Sequence, residues 1–348
     1  MTTIADVARR AKVTTATVSN VLTQRVPVSD KTRARVLQAI KELGYRPNLV
    51  ARGLAQGKTL TLALVVPTLS NPFFAEVVEE IERVADMHDY QLLLSMTHNS
   101  PEEGKRHLER MASRWADGFI VMGMAADIAD VLALKDSGKE VVLSVWNQDA
   151  STQTLPVVDI DFRLAGELAT RHLLECGHRR IAAIVEEPVQ LTRRKGFETT
   201  LTEAGIPVLP EYIRQGDSSF ESGYQAALAL LALPQPPTAI FAGNDWMALG
   251  AMEAIASRNL SIPHDLSVVG VDDISQAAHS HPALTTISIP KREMARAATE
   301  LLLRYIQGID IPTEPLKILV SPHLKVRQST ARINQGCCKV GNKIQEEE

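Results

Sequence analysis

Cysteine is scarce in this 348-residue chain: only Cys176, Cys337 and Cys338 occur, the last two adjacent. That count and spacing suit neither a disulfide framework nor a zinc-ligand set, so reduced thiols are expected. Long apolar runs are missing too. No stretch approaches the roughly 20 residues of a membrane span, and the opening MTTIADVARR has neither the basic nor the apolar region of a secretory signal. A cytoplasmic protein with no membrane partner is therefore expected. Catalytic signatures are also absent: there is no P-loop, G-x-G-x-x-G, G-x-S-x-G or H-E-x-x-H, and the nine histidines are scattered. The sequence predicts no enzyme, no cofactor and no metal site. HSH at 279–281 reads as a loop beside a proline, and ECGH at 175–178 as a helix stopping at Gly177.

What is present is an ordinary globular composition, 45% hydrophobic and 22% charged, long enough for two or three folding units. The charge is uneven. Residues 1–60 carry 11 Lys or Arg against Asp6, Asp30 and Glu42, a balance of +8, whereas the whole chain carries −4 and the remainder therefore −12. A basic head on an acidic body suits a polyanion-binding module attached to a domain that avoids polyanions.

The head reads as three short helices. Ile4, Val7, Ala8 and Ala11 form one apolar stripe, with Thr3 and Asp6 spaced as a capping box. Thr14 is placed to cap a second helix whose Val18, Val21 and Leu22 cluster on one side. Ser29 is placed to cap a third, with Val36, Ile40 and Leu43 as its stripe and Gly44 as its stop. On the second helix the opposite face holds Thr15, Ala16, Ser19 and Asn20. Short side chains there let a backbone enter the major groove, Asn20 suits adenine, and Ala16 suits a thymine methyl. Arg25 follows in TQRVPVSD as a long donor for phosphate or a base edge, and Arg9 and Lys31 are further candidates for phosphate contacts.

TIADVARRAKVTTATVSNVL followed by VSDKTRARVLQAIKELGYRPNLVARGLA resembles the head of the LacI/GalR family of bacterial transcription repressors, and the resemblance runs in order to about residue 330. It implies a helix-turn-helix over 1–46 whose helix Thr15 to Leu22 reads the major groove, and a hinge helix within 47–58. Pro47 and Asn48 fit the start of that hinge, which is too short to hold helix alone in water. The family pattern implies that paired hinges fold in the minor groove, with Leu54 as a wedge between base steps. Gly53 departs from commoner members and disfavours the helix by about 1 kcal/mol relative to Ala.

After residue 58, apolar runs LTLALVVP, YQLLLSM, ADGFIVMG and EVVLSVW, and later RIAAIVEE, TAIFAG and DLSVVGVDD, alternate with helical segments. They predict strands buried on both faces and two doubly wound α/β lobes over 59–332. LTTISIPKREMARAATELLLRYIQG reads as a strand and helix returning the chain to the first lobe, and the resemblance implies a periplasmic-binding-protein-like core. The expected fold is thus a small all-α head on a two-lobed α/β core, with a polar tail over 333–348.

Ligands of such lobes bind in the cleft at the carboxyl ends of strands. Asn71, Phe73 and Phe74 in PTLSNPFF are candidates by that rule. The resemblance adds Asn244 and Asp272 as ligand-contacting residues and Arg193, within R-x-x-G-F, as a forked donor to ligand oxygens. Asp161 and Ser218 are looser matches: Phe162 follows Asp161 where an Asn is usual, and Ser218 replaces an aromatic. Asn, Asp and Arg around rings suit a sugar or sugar acid. The tail lacks leucine heptads, so a homodimer on approximately palindromic double-stranded operator DNA is expected. A regulator answering to a protein partner, and a sugar-modifying enzyme with a DNA anchor, are the alternative readings.

Overall fold

The computed structural model describes residues 2–23, 26–45, 58–112, 116–146, 154–309 and 316–333. Two compact units emerge, Met1–Thr59 and Leu60–Glu348. The hinge positions Asn48, Gly53 and Leu54, together with Arg25, Cys337 and Cys338, lie outside the described residues.

The first unit holds α1 (Ile4–Ala11), α2 (Thr15–Thr23) and α3 (Asp30–Leu43). The capping box forms as expected: Thr3 Oγ1 accepts from the Asp6 N–H at 3.3 Å, and the Asp6 carboxylate accepts from the Thr3 N–H at 3.0 Å. Thr14 Oγ1 accepts from the Thr17 N–H at 3.1 Å. Ser29 stands at the N-cap of α3, but its hydroxyl donates to Thr32 Oγ1 and does not accept from a backbone N–H as a capping side chain would. Gly44, at φ 58°, closes α3 with its N–H on the Ile40 and Lys41 carbonyls. Val7, Ala8, Ala11, Val18, Val21, Val36 and Ala39 form the core of this unit.

The second unit begins with β1 (Thr61–Val66), α4 (Pro72–Met87), β2 (Gln91–Met96), α5 (Pro101–Ala112), β3 (Gly118–Met122), α6 (Ile128–Asp136), β4 (Glu140–Ser144) and β5 (Val157–Ile160). It continues with α7 (Phe162–Glu175), β6 (Ile181–Val185), α8 (Leu191–Glu203), β7 (Ile213–Gln215), α9 (Phe220–Leu231), β8 (Ala239–Ala242), α10 (Asp245–Ser257), β9 (Ser267–Asp272) and α11 (Ser275–His279). Then come β10 (Thr285–Ser288), α12 (Lys291–Gln307), β11 (Lys317–Val320) and β12 (His323–Lys325).

Two six-stranded sheets result, in the orders β11-β5-β4-β3-β1-β2 and β12-β10-β9-β8-β6-β7. Every pairing is parallel except β10 with β12. β1 sits inside its sheet, with Leu64 opposite both Leu94 and Ile120. Leu62, Leu64, Val65 and Val66 are fully buried, each worth about 1.5–3 kcal/mol in removal of apolar surface from water.

Two expectations need correction. QLLLSM is an edge strand in which no residue on either face is fully buried, and Leu94 is 36% exposed; its apolar run exceeds what the lobe itself covers. The segment at 284–308 does not return as a unit either. β10 stays beside β9 in the second sheet, and only α12 packs on the first lobe, against α4, β3 and β4. The chain thus passes between lobes three times, through Asp161, through Ile289–Pro290 and through Ser321–Pro322. In the second lobe the helices pair through glycine: a Cβ on Gly166 would lie 2.1 Å from the Arg193 carbonyl oxygen, and one on Gly196 would lie 2.1 Å from that of Arg163.

Candidate functional site

In the head, the polar face of α2 is built as the sequence predicts. Val18 and Val21 are buried against α1 and α3, which leaves Thr15 and Ala16 exposed and Ser19 and Asn20 half-buried. Arg9 and Lys31 are exposed as well, Arg9 in a surface ion pair with Asp6 at 3.3 Å. The face offers small donors and acceptors flanked by cations.

In the core, a cavity of about 770 Å³ lies between the two lobes. Asn71, Phe73, Phe74, Arg193, Ser218, Asn244 and Asp272 all line it; Asp161 does not, and its neighbour Phe162 takes that wall. Asp161 Oδ1 accepts from the Leu164 N–H at 2.9 Å, so this carboxylate caps α7 where the chain changes lobe. Asn71 and Asn244 cap helices too. Asn71 Oδ1 accepts from the Phe73 N–H at 3.0 Å and Asn244 Oδ1 from the Met247 N–H at 2.7 Å, while Asn244 Nδ2 donates to the Ser218 carbonyl. Phe73 is 3% exposed and packs edge-on to Phe74 at 5.4 Å, which leaves Phe74 as the more open ring.

Arg193 is the buried cation of the site. It rises from the first turn of α8, held close to α7 by the glycine contact at Gly196. Its guanidinium lies over the Phe162 ring at 4.0 Å, donates from Nη1 to the Gly243 carbonyl at 2.6 Å, and stands 3.7 Å from Asp272 Oδ1. Burial lowers its pKa, opposed first by Asp272. Asp272 ends β9 with φ 113° and is 2% exposed; burial pushes its carboxyl up to about 6, with Arg193 and Lys291 pulling the other way. Among the described residues, Arg193 Nε, Asp272 Oδ1 and Trp146 Nε1 are buried polar atoms without a hydrogen-bond partner, and all three residues line this cavity. Such atoms cost folding free energy unless something completes them.

The segment carrying Asp272 is anchored from several sides. Lys291 Nζ donates to the Asp272 and Asp273 carbonyls at 2.7 and 2.6 Å and pairs with Glu76 of α4 at 3.2 Å. Glu76 also accepts from the Ser275 N–H at 2.9 Å, which ties the first lobe to the second directly beside the cavity. Asp273 pairs with Arg327 and Lys325, whose charges hold its carboxyl down to about 2 against the effect of burial. Asp245, fully buried, accepts from the Thr286 hydroxyl at 2.6 Å and the Ile274 N–H at 3.0 Å. Burial raises its pKa strongly.

Sequence reasoning missed Trp146, Trp246, Glu186 and Gln190, all of which line the cavity. Trp146 was legible by the rule that found Asn71, since it follows a strand end; Val145 before it takes φ 56°, turning the chain there. Trp246 brings a further ring to the cavity lining and packs edge-on to Phe220 at 5.6 Å.

The comparisons agree with this architecture. Residues 3–48 match the bacterial regulatory proteins of the lacI family, and 170–330 the periplasmic binding protein-like domain. Catabolite control protein A of Priestia megaterium is 38% identical over 333 residues, covering 94% of this chain and 99% of its own. The HTH-type transcriptional repressor PurR of Haemophilus influenzae (strain PittEE) is 37% identical over 339 residues, 96% of this chain and 100% of its own. Among solved structures, a lac repressor dimer bound to operator and the anti-inducer ONPF superposes with TM-score 0.84 at 29% identity, covering 95% of this chain and 99% of that one. A CelR–cellobiose complex gives 0.71 at 31%, covering 94% and 100%. The chain belongs to the lacI family of bacterial regulatory proteins and is a DNA-binding transcriptional repressor in which a helix-turn-helix head precedes a two-lobed effector-binding core.

Proposed function

We propose that the chain works as a homodimer on an approximately palindromic operator, and that a small polyhydroxylated effector, a sugar or sugar acid, sets its grip on DNA from the cavity between the lobes. Thr15, Ala16, Ser19 and Asn20 meet base edges, with Arg25, Asn48 and Leu54 adding contacts from the loop and hinge. The observation that carries the effector half is the set of unpartnered buried atoms on Arg193, Asp272 and Trp146 around one cavity with aromatic walls. Hydroxyls both donate and accept, so vicinal hydroxyls complete a carboxylate and a guanidinium together, while an apolar ring face covers Phe74 or Trp146. That a related lac repressor was solved as a dimer on operator, and CelR with cellobiose, supports the same reading.

The effector acts only through unequal affinity for two lobe arrangements, which makes it a corepressor or an inducer according to which one suits DNA. Asp272→Asn is the informative variant, because Asn accepts the positive φ at that position and keeps the shape while removing the charge. Fragments of genomic DNA retained by the purified protein should share an inverted repeat, and added sugars should change their retention in the wild type alone. Retention of no fragment above bulk competitor DNA would remove the operator half. An unaltered response in Asp272→Asn would remove the assigned site.

A further inference from the structure

We infer that the cavity selects neutral polyhydroxylated ligands over the corresponding sugar acids, and that Glu186 is the residue that sets this preference. The inference rests on the effector reading above and narrows it.

Glu186 lies just beyond the end of β6 and lines the cavity. Its carboxylate is held in place by a closed ring of hydrogen bonds. Ser218 Oγ donates to Glu186 Oε2, Gln190 Nε2 donates to Ser218 Oγ at 3.0 Å, and Gln190 Oε1 accepts from the Glu186 N–H at 3.0 Å. Gln190 is 2% exposed. Gly243 leaves the room it needs, since a Cβ there would lie 1.9 Å from Gln190 Oε1. These bonds engage Oε2 alone, so Oε1 is left to accept from a ligand.

The charge count around the site then decides what can enter. Arg193 is the buried cation of the wall, and Asp272 and Glu186 both lie within its electrostatic reach. Asp272 already balances it at 3.7 Å, which makes Glu186 a surplus negative charge; the wall's other two charges, Asp217 and Lys195, are opposite in sign, exposed and screened by solvent. A ligand hydroxyl satisfies this wall by donating to Glu186 or Asp272 while accepting from Arg193. A ligand carboxylate can only accept, and it brings a third like charge into a half-buried site, a juxtaposition that costs affinity steeply.

Calorimetric titration of the full chain with matched pairs, glucose and glucuronate, galactose and galacturonate, mannose and mannuronate, tests this. Whichever configuration binds, its acid should bind at least about tenfold more weakly than its neutral form. Glu186→Gln preserves the acceptor for Ser218 and removes the charge. It should bring acid and neutral forms within about threefold of each other, whereas a merely structural role would weaken both equally. Equal or tighter binding of an acid by the wild type overturns the inference and leaves the effector reading standing. An unchanged ratio in Glu186→Gln overturns the role of Glu186. Silence from every sugar would remove the sugar reading and this inference with it. Should that variant fail to fold, Glu186→Ala, which also removes the charge, is read by the same ratio.

Discussion

At the scale of single residues, His178 shows how burial without a charge partner makes stability depend on pH. Its Nδ1 meets Thr238 Oγ1 at 3.0 Å and its Nε2 meets Ser267 Oγ at 3.1 Å, and burial depresses its pKa to about 4. Above about pH 6.5 the ring is neutral in both folded and unfolded chains. Below that the unfolded chain takes up a proton that the folded one refuses, so stability falls as pH drops from 6.5 towards 4, by at most about 3 kcal/mol. Asp272, with its carboxyl raised to about 6, works in the opposite direction between 6 and its unfolded value. The His178 contribution is therefore isolated by comparing wild type with His178→Gln in urea at pH 7, 5.5 and 4.5: the wild type should lose ground to the variant as pH falls. The candidate site was only partly legible at this scale. Asn or Asp between a strand and a helix is the mark of a ligand contact and equally of an N-cap, and Asn71, Asp161 and Asn244 all serve as caps. Arg193 and Asp272 became legible only through the family resemblance, and neither of them serves as a helix cap in the structure.

At the scale of elements, caps and ties differ in what they hold. Thr3→Ala removes an acceptor that α1 uses and should cost the head about 1 kcal/mol, whereas Ser29→Ala, whose hydroxyl reaches only Thr32 Oγ1, should be near neutral. Amide hydrogen exchange in α1 and α3 of the two variants checks the contrast; equal losses of protection would contradict it. Lys291 holds two carbonyls at the end of β9 from the start of α12. Lys291→Met keeps the aliphatic stem but leaves those carbonyls and Glu76 without their cation, and should cost about 3 kcal/mol in denaturant unfolding. It should also weaken effector binding, because the segment it holds carries Asp272. Most central strands and helices were readable from periodicity, since apolar runs and amphipathic stripes reflect burial directly. β5, β7, β11 and β12 were not. They have three or four residues each; β5 is buried but short and carries Asp159, while Lys317 and Leu319 of β11 stand exposed on an edge, so none left a long apolar run in the sequence.

Across the whole molecule, charge is divided: residues 1–60 carry +8 and the remainder −12, a balance that suits a head attracted to a polyanion. Asn20→Ala should relax base preference at one operator position and cost about 1–3 kcal/mol there, while Lys31→Ala should weaken all sequences alike and lower the salt slope by about one unit. Binding to the selected operator and to random duplex at several salt concentrations separates the two; equal losses on both DNAs for Asn20→Ala would refute its assignment. Two lobes of similar topology were visible as a repeated rhythm of strands and helices. Which lobe each late segment joins was not, because β10, α12, β11 and β12 are placed by packing partners far away in sequence.

The backbone-to-backbone seating of α7 on α8 at Gly166 and Gly196 recurs between α9 and α10, where a Cβ on Gly223 or Gly250 would lie 2.1 or 2.0 Å from a facing carbonyl oxygen. Where backbone meets backbone at these glycines no side chain can slide or repack, so each helix couple is riveted like a hull plate. A lobe built on such couples turns as one body, so the three short passages at Asp161, Ile289–Pro290 and Ser321–Pro322 are where a ligand-driven swing would be taken up.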